Sequence, residues 1–175
     1  MTTVYIDNFH KLIITDTRVT YMEYTLWQSF LRKFLKNKIK GKSKYGVTNQ
    51  KGIYVHDHLL VCAGDVNAIE IVLNGLASGN INNIKNVTTN ESCICKWVLN
   101  EYIINFTINN GKLNKNVKFM SSDYKCSFGS GCWSPPIDRM INESHLYKID
   151  EVIDHFKKIK NFDIYTNDLI NIYRF

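Results

Sequence analysis

The sixteen residues Met1-Thr2-Thr3-Val4-Tyr5-Ile6-Asp7-Asn8-Phe9-His10-Lys11-Leu12-Ile13-Ile14-Thr15-Asp16 decide how the rest of the chain is read. Thr3–Asp7 alternates weakly, Leu12–Thr15 is an apolar, β-branched run, and Asn8-Phe9-His10 between them favours a turn, so the spacing predicts an opening hairpin. The second residue carries a chemical option as well. A small residue after the initiator permits removal of Met1, which leaves Thr2 with a hydroxyl and a free α-amine. Such a residue is a self-contained nucleophile: Oγ attacks a carbonyl, and the amine, with a reference pKa of ~7.7–8.0, takes the proton.

The chain has 175 residues, the size of one ordinary domain. Its 45% hydrophobic and 22% charged content suits a folded core and excludes a disordered polymer. No apolar run reaches the ~20 residues of a membrane span, and the amino end has no basic leader, so a cytoplasmic location is expected. Lys and Arg total 22 against 16 acidic residues, a net charge of +6, with the surplus concentrated between Arg32 and Lys51. Cys62, Cys93, Cys95, Cys126 and Cys132 form an odd set without C-x-x-C spacing, which reads as reduced thiols rather than a disulfide framework or zinc site. The five histidines have no ligand spacing, and no P-loop or HExxH motif is present.

Further along, Tyr24, Trp27, Phe30/Leu31, Phe34/Leu35 and Ile39 recur at helical spacing among lysines, predicting a basic amphipathic helix over about 21–42, then a loop from Gly41 to Gly46. Strands are expected at Ile53–Val55 and His58–Cys62, and a helix from about Val66 to Ala77. Asn80–Asn90 reads as loop. Cys93–Leu99 and Tyr102–Thr107 read as strands, with a hairpin turn at Asn109-Asn110-Gly111 and an extended stretch over Phe119–Phe128. Ser134-Pro135-Pro136 opens a helix, Lys148–Lys160 is helical, and Phe162–Thr166 and Leu169–Phe175 close the chain as strands. Segregated strands and helices favour an α+β layered fold over a doubly wound sheet.

Five segments in order resemble the proteasome β-type and HslV peptidase family. They are Thr2–Ile6, Leu12–Asp16, the Lys51–Gly64 stretch ending Ala63-Gly64, Phe128-Gly129-Ser130-Gly131, and Ile164-Tyr165-Thr166-Asn167. The resemblance implies a four-layer αββα sandwich of the N-terminal-nucleophile hydrolase type. It also implies a threonine endopeptidase acting on peptide or unfolded polypeptide, assembled as a homo-oligomeric ring and fed by an ATP-dependent unfoldase.

The same resemblance assigns roles. Thr2 is nucleophile and, through its amine, base. Lys51 lowers the pKa of that amine, Asp16 holds Lys51, the Gly64 N–H faces the oxyanion, and Ser130 hydrogen-bonds near the amine. No cofactor is required. The family's monovalent cation, sodium, maps onto the backbone carbonyls of Lys160, Asp163 and Thr166, although the family usually has glycine at the position of Lys160. For the Asp of the family's late helix, Asp154 is the nearest candidate.

The sequence departs from the family in a longer Asp16–Lys51 segment and a shorter Gly64–Ser130 segment. The inserted helix has competing readings: packing on the body or on a neighbouring subunit, an acidic protein partner, a membrane surface, or nucleic acid, for which no recognised motif exists. With Met1 retained, the Thr2 nitrogen is an amide and no base. The alternative reading is therefore an inactive protein of the same fold, acting as a binding module or as a modulator of a protease or other partner.

Overall fold

The computed structural model describes residues 2–23, 42–47, 51–84, 87 and 91–175. The opening hairpin forms as expected: β1 (Thr3–Asp7) and β2 (Leu12–Asp16) pair antiparallel with Val4 opposite Thr15. β3 (Arg18–Glu23) and β4 (Lys42–Val47) make a two-stranded ribbon. β5 (Gly52–Val55) and β6 (His58–Gly64) follow, then α1 (Val66–Ala77) and a short turn of 3-10 helix at Ile81–Asn83. β7 (Cys93–Val98), β8 (Tyr102–Asn109), β9 (Lys112–Phe119) and β10 (Lys125–Gly129) come next. α2 (Pro135–Glu143), α3 (Ile149–Lys157) and β11 (Ile170–Arg174) complete the order.

Two antiparallel sheets result, one ordered β10-β1-β2-β11 and the other β5-β6-β7-β8-β9. Strand alternation explains how they stack. Val4, Ile6 and Ile13 from one sheet meet Leu59, Val61, Ala63, Val98 and Ile103 from the other in a shared core. The opposite faces stay apolar because each is covered by helix. Leu60, Cys62, Cys95 and Phe106 pack under Ala68, Val72 and Leu76 of α1, while Tyr5, Leu12 and Ile14 pack under Ile137, Met140, Val152 and Phe156 of α2 and α3. A strand buried on both faces reads as a continuous apolar run, as Leu59–Ala63 does. The fold is thus α+β with four layers, α-β-β-α, as the resemblance implied.

Local chemistry sets the boundaries. Asp65 caps α1 by accepting from the Asn67 N–H at 2.8 Å. Two prolines occupy the first turn of α2, where no intrahelical N–H partner is needed. Asn110 and Gly111 take positive φ in the β8–β9 turn, and His56 and Asp57 do so between β5 and β6. β9 lies at the rim of its sheet with most side chains exposed, among them Lys112, Lys115 and Lys118.

Three expectations are corrected. The predicted helix over 21–42 does not include its ends: Tyr21–Glu23 belongs to β3 and Lys42 to β4, with Thr20 opposite Tyr45; residues 24–41 lie outside the described residues. The Gly41–Gly46 loop is likewise mostly strand. Here β-branched and aromatic residues around Val19-Thr20-Tyr21 find a ladder partner, and the ladder overrides a helical period extrapolated from Tyr24 onward. Phe162–Thr166 is a turn, because the Asp163 carboxylate accepts from the Tyr165 N–H at 3.0 Å and the Asp163 carbonyl from the Thr166 N–H at 3.1 Å.

Candidate active site

The site begins with the hairpin register. Val4 opposite Thr15 carries Thr3 to the level of Asp16, and the Thr3 N–H donates to Asp16 Oδ1 at 2.8 Å. Lys51, just before β5, is anchored by its carbonyl, which accepts from the Cys62 N–H at 3.3 Å. Its side chain reaches across, and Nζ donates to the same Asp16 Oδ1 at 3.2 Å and to the Arg18 carbonyl. The Arg18 N–H in turn donates to Asp16 Oδ2 at 3.1 Å. Both side chains of the ion pair are buried. Burial pushes the Lys51 ammonium down despite Asp16, and pushes the Asp16 carboxyl up despite Lys51 and the Thr3 N–H. The Lys51 side chain thus shares one Asp16 oxygen with the amide of Thr3, the residue that follows Thr2.

The Gly129-Ser130-Gly131 segment wraps the other side of the chain start. Gly129 has φ +101, and a Cβ there would fall 1.6 Å from the Thr2 carbonyl oxygen, so only glycine lets β10 approach so closely. The Ser130 N–H donates to that same carbonyl at 3.1 Å. A Cβ on Gly131 would lie 2.6 Å from Thr3 Oγ1, which instead accepts from the Gly131 N–H at 2.9 Å.

Ser130 Oγ donates to Asp163 Oδ2 at 2.6 Å, and Thr166 Oγ1 donates to the same oxygen at 2.7 Å. Thr3 and Thr166 hydroxyls are 2.7 Å apart; since Thr166 spends its proton on Asp163, Thr3 is the donor between them. The direction of this chain is therefore fixed: Gly131 N–H to Thr3, Thr3 to Thr166, Thr166 to Asp163. Burial would lift the Asp163 carboxyl, but the bonds from Ser130, Thr166 and the Tyr165 amide outweigh it and hold the group below the usual carboxylate range.

Thr2 is buried and lines a cavity of about 550 Å³. The cavity opens at the end of the sandwich where β1 and β7 begin and β6, β8 and β10 finish. Its walls include Thr2, Gly64, Ile94, Ile108, Phe128 and Trp133, and among the described residues that line it none is charged.

The structure therefore brings Thr2, Asp16, Lys51, Gly64 and Ser130 to one end of the sandwich. Asp154 is elsewhere: it lies on α3, is exposed, and pairs with Lys157 at 3.8 Å. The acidic partner of Ser130 is Asp163, which sequence reasoning named only for its carbonyl. The one available signal was its place three residues before Thr166 in the closing motif. Lys160 directs its ammonium to Asp168 at 2.5 Å, on the surface. Among the described residues no cluster of His, Cys, Asp or Glu could hold a metal ion, and no helix is long and apolar enough to cross a membrane.

No protein-family model matches the sequence, and no curated protein matches it. Solved structures do match. Eukaryotic HslV from Trypanosoma brucei aligns over 98% of this chain and 97% of its own, at 13% identity and a TM-score of 0.50. The BPH protein of Thiobacillus denitrificans, solved in complex with epoxomicin, aligns over 98% of this chain and 96% of its own, at 14% identity and a TM-score of 0.55. Over nearly its whole length, the chain has the HslV and proteasome-type fold.

Proposed function

We propose that the chain is the subunit of a threonine peptidase whose nucleophile is Thr2 after removal of Met1. The observation that carries this reading is the convergence of Lys51 Nζ and the Thr3 N–H on one buried oxygen of Asp16, beside a cavity that Thr2 lines. In this mechanism Thr2 Oγ attacks the scissile carbonyl and the α-amine accepts its proton. Lys51 favours the unprotonated amine by its charge, and Asp16 keeps Lys51 aimed. The Gly64 N–H stabilises the oxyanion, a donor commonly worth ~2.7–4 kcal/mol. The ammonium then protonates the departing amine, leaving an ester on Thr2, and water drawn to the same amine hydrolyses it. Ser130, held by Asp163, supports the amine through its hydroxyl.

Assembly belongs to the same reading. Trp133 is 87% exposed, and Phe162 and Ile164 are also largely exposed, an apolar surface suited to a neighbouring copy in a ring. An unfoldase that delivers polypeptide is the partner such a ring requires. A sodium ion on the carbonyls of Lys160, Asp163 and Thr166 fits in one respect, because the Asp163 carbonyl gives one lone pair to Thr166 and retains the other.

The test combines intact mass, labelling and turnover. The expected result is loss of Met1, covalent labelling of Thr2 by epoxomicin, and peptide hydrolysis abolished by Thr2→Ala. A uniformly retained Met1 with no labelling favours the inactive binding protein instead.

A further inference from the structure

We propose that Lys96 and Cys126 form a peroxide-triggered covalent staple between the two sheets. Lys96 stands on β7 in register with Val61, and Cys126 on β10 in register with Ile6, so the pair bridges the sandwich. Lys96 shares the strand parity of Ile94 and Val98, the face turned toward the opposite sheet, where an apolar side chain is the simpler occupant. Its ammonium has no carboxylate within ion-pair distance among the described residues. It donates instead to Cys126 Sγ at 3.2 Å and lies 5.0 Å from the centre of the Phe128 ring.

Accessibility separates Cys126 from most other thiols. Cys62, Cys93 and Cys95 are buried, whereas Cys126 is half-buried and Lys96 likewise. A partly exposed thiol beside a fixed cation is the setting in which cysteines react with peroxide. The chemistry balances in two steps. Hydrogen peroxide oxidises the thiol to sulfenic acid: an S–O bond forms, the O–O bond breaks, and water leaves. The Lys96 amine, after giving a proton to solvent, attacks the sulfenic sulfur: an S–N bond forms, the S–O bond breaks, and a second water leaves. The product is a sulfenamide, the condensation known for sulfenic acids with backbone nitrogen, made here by a side chain already in contact. Thiols reverse it.

The experiment treats the whole protein with hydrogen peroxide and maps its peptides under non-reducing conditions. The expected product joins the Lys96 and Cys126 peptides, lighter than their sum by two hydrogens, and dithiothreitol releases it. Lys96→Arg keeps the charge and the donor but lacks a nucleophilic amine. It is expected to lose the cross-link and accumulate dimedone-trappable sulfenic acid at Cys126, and because the charge is retained the fold is kept. Cys126 remaining a thiol, pairing as a disulfide, or stopping at sulfenic acid in the wild-type protein would overturn the proposal. None of these readouts depends on turnover at Thr2.

Discussion

Ser130 donates its hydroxyl proton to Asp163 at 2.6 Å, joining the end of β10 to a turn 33 residues later. Through Thr166 and Thr3, the same carboxylate also anchors the chain beside Thr2. In the proposed mechanism Asp163 is a positioning residue, holding Ser130 and the chain beside Thr2. Asp163→Asn is expected to lower peptide hydrolysis about tenfold to a hundredfold, since a misplacement of ~1 Å at a reacting centre has that effect. The melting temperature should move by only a few degrees. Undiminished turnover in a folded variant would remove Asp163 from the site.

Lys51 and Asp16 test stability against chemistry. Lys51→Met leaves the Asp16 carboxylate buried without its cation, which costs about 3–5 kcal/mol. Adding Asp16→Asn removes the uncompensated charge while an amide oxygen still accepts from Thr3. Urea denaturation should show most of the stability restored in the double variant, with hydrolysis still absent. Recovery of both would mean that Lys51 serves the fold alone.

Asp7 predicts a pH response. Its carboxylate accepts from Tyr5, from the Phe9 and His10 N–H groups and from Ser144, and His10 Nδ1 lies 2.9 Å away. Burial opposes ionisation, yet His10 and the remaining donors outweigh it and hold the pKa below its ordinary value. A depressed folded-state pKa contributes stability that is complete above the unfolded value of ~3.9 and is lost as pH falls through the folded one. Asp7→Asn should therefore lose less stability than wild type between neutral pH and pH ~3, read as urea midpoints. Parallel losses would contradict this assignment.

Thr15 offers a gain. Its Oγ1 is buried on β2 and has no hydrogen-bond partner among the described residues. Thr15→Val replaces that hydroxyl with a methyl of similar size and should stabilise the protein by about 1 kcal/mol, measured by urea denaturation. A loss of similar size would show that the hydroxyl is satisfied in solution.

Much of this was readable from sequence where a local pattern dictated a local result. The opening hairpin followed from an apolar run after a turn, and the β8–β9 turn from Asn110-Gly111. The glycines flanking Ser130 were recognisable by motif, though their physical reason, contact with Thr2 and Thr3, appears only in three dimensions. What failed depended on distant partners. β3 and β4 pair across a long intervening stretch, so neither strand announces its ladder. The role of the Asp163 carboxylate was not legible because an Asp-centred turn, not a helix, brings it to Ser130; the family resemblance pointed to Asp154 on the late helix instead.

The lysines spaced along β9 have a colloidal consequence. An eight-residue strand with no further strand beside it among the described residues is a template for sheet-to-sheet polymerisation. Like charges at Lys112, Lys115 and Lys118 repel a second copy offering the same rim, so concentrated solutions should resist fibre growth at low ionic strength and lose that protection as salt is added.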